Sequence, residues 1–126
     1  MARERRITAH FSDGRRYFEN DLGKEFDYTQ STGPYEYLLG ALAGCFYLTL
    51  ISFPHDGRWD SMDISVSGIK RDEIPTTLKH TTLAIRVHGA DDEQEVLSLI
   101  EKAKAECSVY ATISKVSEID VQTEFD

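Results

Sequence analysis

Between Tyr37 and Phe53 the chain carries no charged side chain, and prolines stand on both sides of the run, at Pro34 and Pro54. Proline is favoured in the first turn of a helix, where its missing N–H has no partner to lose, and it cannot continue a helix that reaches it from the other end. The run therefore predicts one helix that opens at Gly33–Pro34 and closes before Pro54. At 17 residues it stands at the lower limit for crossing a bilayer. Glu36 and Asp56 flank it where a basic cluster would anchor a span, and Gly40, Gly44, Thr49 and Ser52 dilute it. A helix apolar on every side that does not cross a membrane is the buried centre of a core, and it needs other elements to cover it.

The flanks supply those elements. Residues 5–11 alternate weakly, SDG (Ser12 to Gly14) reads as a turn, and RRYFEN, DLG and KEFDYT follow, which predicts two or three short antiparallel strands. After the helix, HDG forms a loop. MDISVSGIK sets Met62, Ile64 and Val66 against Asp63, Ser65 and Ser67, and LAIRVH points Leu83, Ile85 and Val87 inward, so both are half-buried strands. Asp91 or Asp92 caps a second helix, 92–106, whose stripe is Val96, Leu97, Ile100 and Ala103. SVYATISK, after Cys107, predicts a short helical segment. In the last strand Ile119, Val121 and Phe125 are apolar while Glu118, Asp120, Gln122 and Glu124 face water; Val116 breaks the period, so the strand starts near Glu118. Strands, central helix, strands, helix and strand make an α+β fold with a mostly antiparallel sheet, in a single domain over residues 1–126.

With 22 acidic residues against 14 basic ones, the net charge of −8 argues against nucleic acid or an anionic membrane as partner. MARERRITAHF has neither an apolar core nor a small-residue cleavage site and does not read as a signal peptide. Two cysteines 62 positions apart, without a secretory context, point to a reducing compartment, the cytoplasm. His10, His55, His80 and His88 show no metal-ligand spacing, with one another or with the cysteines; His80 and His88 read as capping or flanking their strand. There is no G-x-S-x-G and no glycine-rich phosphate loop, and no cofactor or metal is expected. Tyr35, Tyr37, Phe46, Tyr47 and Phe53 read as core and interface packing.

Gly40 and Gly44 lie four apart, on one face of the predicted helix, and suggest a close helix–helix crossing, within the chain or between two copies. Cys45 follows directly. Its helical neighbours are Ala41, Leu42, Leu48 and Thr49, so nothing local supplies positive charge, and apolar burial alone makes a thiol inert. Cys107 is different: it lies where one helix ends and another segment starts, and a helix start stabilises thiolate.

GPYEYLLGALAGC, followed 62 residues later by a second cysteine in AECSVYATISKVSEIDVQTEF, resembles the OsmC/Ohr family (osmotically inducible protein C and organic hydroperoxide resistance protein). That family has a helix of the form (G)xxPxELLxAAxxxC and a later CPVSxTL before a final strand. The resemblance covers nearly the whole chain. It implies an intertwined homodimer of OsmC-like α+β subunits with sites at the interface. It also implies a thiol-dependent peroxidase acting on organic or lipid hydroperoxides, with an external dithiol as reductant. By position Cys45 resembles the peroxidatic cysteine and Cys107 the resolving one. The family's supporting glutamate lies ten positions before the first cysteine; Tyr35 occupies that position here and Glu36 stands nine before. For the family's arginine the candidates are Arg16 and, second to it, Arg15, and Ser108 replaces the usual proline after the second cysteine. A binding protein of the same dimeric fold, holding a small apolar ligand in the interface cleft without turnover, is the alternative.

Overall fold

A computed structural model describes residues 4–126, so the first three residues of the N-terminal stretch lie outside it. The chain folds as two compact units, one running through Tyr37 and one spanning Leu38–Asp126.

In the first unit β1 (Ile7–Phe11), β2 (Arg16–Asn20) and β3 (Glu25–Asp27) form an antiparallel sheet in that order. Ala9, Phe18 and Phe26 stand opposite one another across it. Phe18 stacks on Phe26 with centroids 4.9 Å apart, and the Tyr37 ring meets Phe18 edge-on at 5.2 Å. Such offset and edge-on pairs match the ring quadrupoles and add to the burial of their area.

Helix α1 (Pro34–Ser52) runs from the first unit into the second, as its bounding prolines predict. The second unit continues with β4 (Ser61–Lys70), β5 (Leu78–His88), α2 (Glu93–Glu106), α3 (Ser108–Ser114) and β6 (Glu118–Phe125). Its sheet runs β4-β5-β6, with β4 and β5 antiparallel and β5 and β6 parallel. The parallel pairing follows from the two intervening helices, which carry the chain back to the end of the sheet where β5 began. The strands are thus divided between two three-stranded sheets, with three of the four pairings antiparallel.

Alternation along β5 buries Thr81, Leu83, Ile85 and Val87, and Leu78 is buried at a strand start earlier than LAIRVH suggests. His80 and His88 both lie within β5 and pair with carboxylates of the neighbouring strands, His80 with Asp120 of β6 and His88 with Asp63 of β4. Asp92, not Asp91, caps α2, accepting the Glu95 N–H at 3.1 Å. Asp91 instead accepts the Arg58 N–H at 2.8 Å, and the Glu95 carboxylate accepts the N–H groups of Asp56 and Gly57. These bonds tie the loop after α1 to the first turn of α2.

Two expectations need correction. The buried stripe of α2 is Val96, Leu99, Ile100 and Ala103, and Leu97 is only half-buried. Leu97 has the right spacing to Ile100, but it lies a full 100° step around the helix from Val96, and Leu99 fits better between Val96 and Ala103. The central helix is also not enclosed by its own chain. Only Leu42, Phe46 and Leu50 of α1 are buried, one stripe along it. Among the described residues, nothing outside the helix comes within 4 Å of a Cβ added at Gly40 or Gly44. Their close crossing is therefore not made among the described residues. Ala41 is exposed beside them, as are Leu48 (64%) and Ile51 (37%). By length and composition alone α1 could also span a membrane. A three-stranded sheet and two short helices offer one apolar surface, which covers one side of a helix. Val116 is 51% exposed and outside β6, in keeping with its broken period.

Replacing Leu99 by Ala should lower the unfolding free energy by about 2–5 kcal/mol, the usual range for a buried leucine. Leu97→Ala should cost about 1 kcal/mol or less, both measured by urea denaturation. Equal losses at the two positions would overturn this assignment of the buried face.

Candidate active site

Cys107 joins two helices. Its N–H donates to the Ala103 carbonyl at 2.8 Å and closes α2, while its sulfur accepts the Tyr110 N–H at 3.4 Å and caps α3. The side chain is fully buried. One residue after Cys45, the buried Phe46 ring lies 6.0 Å from Tyr110. That contact sets the start of α3 against the middle of α1 at the level of Cys45. Cys45 is partly exposed, and its Sγ lies 3.8 Å from Ser108 Oγ.

Both thiols are free, and each influences the acidity of the other. Their acidities move in opposite directions. Burial opposes the Cys45 thiolate most strongly, but hydrogen bonds from the Val109 N–H, the Cys107 thiol, the Ser108 hydroxyl and Thr49 outweigh it and hold Cys45 below the ordinary thiol value. Burial pushes Cys107 up; the Tyr110 N–H opposes this, and the neighbouring Cys45 adds to the rise. The expectation that the helix start would favour thiolate at Cys107 is thus reversed. Cys107 is the cap of α3 and so lies inside the fold, where ionisation is costly. The donors of the same turn reach Cys45 across the helix contact. A thiolate at Cys45 beside a neutral Cys107 is the arrangement in which a nucleophile and a second thiol can act in sequence.

The other predicted residues belong to the first unit. The Glu36 carboxylate accepts the Gly33 N–H at 2.6 Å and so satisfies a free donor at the start of α1. Arg15 is committed: its guanidinium donates to Asp27 at 2.9 Å and to Glu25 at 2.9 Å and lies over the Tyr17 ring at 3.9 Å. Arg16 opens β2 opposite Phe11 and lines an open groove of about 920 Å³ with Phe11, Tyr28 and Gln30. Sequence reading did not assign roles to Thr49 or Ser108. Thr49 stands one turn after Cys45, and Ser108 directly follows Cys107, so both were adjacent to the motif without being marked by it. Among the described residues no group of three or more His, Cys, Asp or Glu side chains could hold a metal ion.

Residues 27–123 match the family described as OsmC-like protein. The chain belongs to the OsmC-like family. No curated protein sequence matches it. Its structure is similar to that of an OsmC-like protein from Mycoplasma pneumoniae, at 18% identity and a TM-score of 0.80, covering 99% of both chains. It is also similar to an OsmC-like protein of unknown function from Vibrio cholerae O1, at 15% identity and a TM-score of 0.81, covering 98% of this chain and 100% of that one. The organic hydroperoxide resistance protein OhrB of Bacillus subtilis aligns at 16% identity and a TM-score of 0.68, over 96% of this chain and 98% of its own. At these identities the likeness establishes a shared OsmC-like α+β fold.

Proposed function

We propose that this protein is a thiol-dependent peroxidase that reduces organic or lipid hydroperoxides through Cys45 and Cys107. The observation that carries the reading is the asymmetry of two free thiols at one helix contact: Cys45 is partly exposed and faces Ser108, with its pKa held below the ordinary thiol value, and Cys107 is fully buried, with its own raised above it. The similar proteins called organic hydroperoxide resistance proteins point to the same substrate class.

The Cys45 thiolate attacks the distal peroxide oxygen. An S–O bond forms, the O–O bond breaks, and the alkoxide leaves and takes a proton to become the alcohol. The sulfenic acid at Cys45 then condenses with the Cys107 thiol, releasing water and forming a disulfide. An external dithiol restores both thiols by exchange. Cys107 is well suited to the second step, because its proton stays on until the partner sulfur has become electrophilic. Of the charged candidates, Arg16 is preferred to Arg15, whose guanidinium is already bound by Glu25 and Asp27. Glu36 is retained with it as a supporting residue. Two free thiols fit a reducing compartment, the cytoplasm.

The working unit in this reading is a homodimer. Ala41, Gly44, Leu48 and Ile51 follow three- and four-residue spacing along an uncovered side of α1, and the two glycines let a second backbone approach. The binding-protein reading has one observation in its favour: the carboxylate of Glu36 and the guanidinium of Arg15 already have partners.

Turnover separates the two readings. With dithiothreitol as reductant, the wild type should consume cumene hydroperoxide, and Cys45→Ser should reduce the rate at least a hundredfold, since no other thiol is placed to attack. Cys107→Ser should leave a sulfenic acid at Cys45 that dimedone labels. A wild type without turnover supports the binding protein. By light scattering at micromolar concentration the wild type should be dimeric, and Gly44→Leu should weaken the dimer by about 1–3 kcal/mol or more through overpacking. A monomeric wild type would remove the interface from the account.

A further inference from the structure

The acidity of Cys45 has no cation among its largest sources. Burial opposes it, and what overcomes burial is a set of hydrogen bonds. Two of these donors are built into any chain that folds this way: the Val109 N–H belongs to the backbone of α3, and the Cys107 thiol is the second cysteine itself. The Ser108 hydroxyl is different, because it depends on one side chain. It is the first residue of α3, its side chain is exposed, and Cys45 Sγ is the partner of its Oγ, at 3.8 Å. Its backbone carbonyl is engaged separately, accepting the Thr112 hydroxyl at 2.9 Å, which fixes the turn from which the side chain projects.

The pattern this chain resembles has proline at that position. Proline suits a first helical residue, because no N–H is missed there, but it offers sulfur no donor. Serine suits the position less well as a helix former and brings an O–H. A hydroxyl facing a sulfur discriminates between its two protonation states. Against a neutral thiol the contact is weak. Against a thiolate the hydroxyl donates a charge-assisted bond, which favours the charged form.

We propose that Ser108 is a catalytic residue of this chain, its hydroxyl donating to the Cys45 sulfur and stabilising the thiolate. The proposal builds on the peroxidase reading for its consequence, since a larger thiolate fraction at neutral pH gives faster attack on peroxide. The hydrogen bond itself does not depend on that reading. A neutral donor also differs from an ion pair in its response to salt: mobile ions screen charge against charge and leave a direct O–H···S contact largely intact.

The test is the pH profile of Cys45 alkylation by iodoacetamide in the reduced full-length protein, read as modified Cys45 peptide by mass spectrometry. The buried Cys107 should stay unmodified in every variant and so reports that each is folded. In Ser108→Ala and Ser108→Pro the midpoint should move to higher pH, so that the rate at pH 7 falls about three- to tenfold. Ser108→Thr keeps the hydroxyl and should stay within about twofold of the wild type. The wild-type midpoint should move little between low and molar salt. A Ser108→Ala profile lying on the wild-type curve overturns the proposal, as does a Ser108→Thr profile that follows Ser108→Ala. A variant that alkylates Cys107 as well has lost its packing, and the comparison then rests on Ser108→Thr against Ser108→Val, two β-branched side chains of the same shape that differ in the hydroxyl. Because no peroxide is used, an inert wild type with shifted variants would refute the peroxidase and leave Ser108 standing. Normal turnover with an unshifted Ser108→Ala would do the reverse.

Discussion

Phe46 and Tyr110 hold the first turn of α3 against the middle of α1. The contact joins residues far apart in sequence, and both cysteines are adjacent to it, Cys45 one position before Phe46 and Cys107 three before Tyr110. From this one packing arrangement the state of each thiol follows. Cys107 becomes the cap between α2 and α3 and is sealed inside; Cys45 is left at the surface of the contact, facing the Val109 N–H and the Ser108 hydroxyl. Burial costs charge and hydrogen bonding favours it, and the fold applies the first chiefly to one sulfur and the second chiefly to the other. A difference in acidity between two chemically identical groups thus needs no charged residue beside them.

The same geometry explains why the chain can place an uncharged helix at its centre. The buried stripe of Leu42, Phe46 and Leu50 anchors α1 to its own unit, and Phe46 within that stripe is also the residue that receives α3. The sides of α1 that remain open carry small and apolar residues rather than charges. That composition is costly for an isolated subunit and reasonable for one half of an assembly.

Much of the fold was legible from local pattern. Pro34 and Pro54 bound α1, the alternation of Glu118 to Phe125 marks β6, and the Asp-rich start of α2 announces a cap, because each signal arises within a few residues of the element it defines. What sequence could not settle depended on contacts across the chain. Leu97 and Leu99 are both compatible with a helical stripe, and only the packing of unit two selects Leu99. The parallel β5–β6 pairing is fixed by where two helices return the chain. Local pattern ties the start of α3 to Cys107, which caps it, and does not show that Ser108 of the same turn also faces Cys45. Glu36 and Arg16 were carried over from a family pattern and have no counterpart in local physics that would have selected them.

The central claim is that Cys45 and Cys107 act as one redox pair. One equivalent of cumene hydroperoxide added to the reduced protein, followed by digestion and mass spectrometry without reductant, tests it directly. The account predicts loss of both free thiols and a single intramolecular Cys45–Cys107 disulfide. Oxidation confined to Cys45 as sulfinic acid, with Cys107 still free, would contradict it.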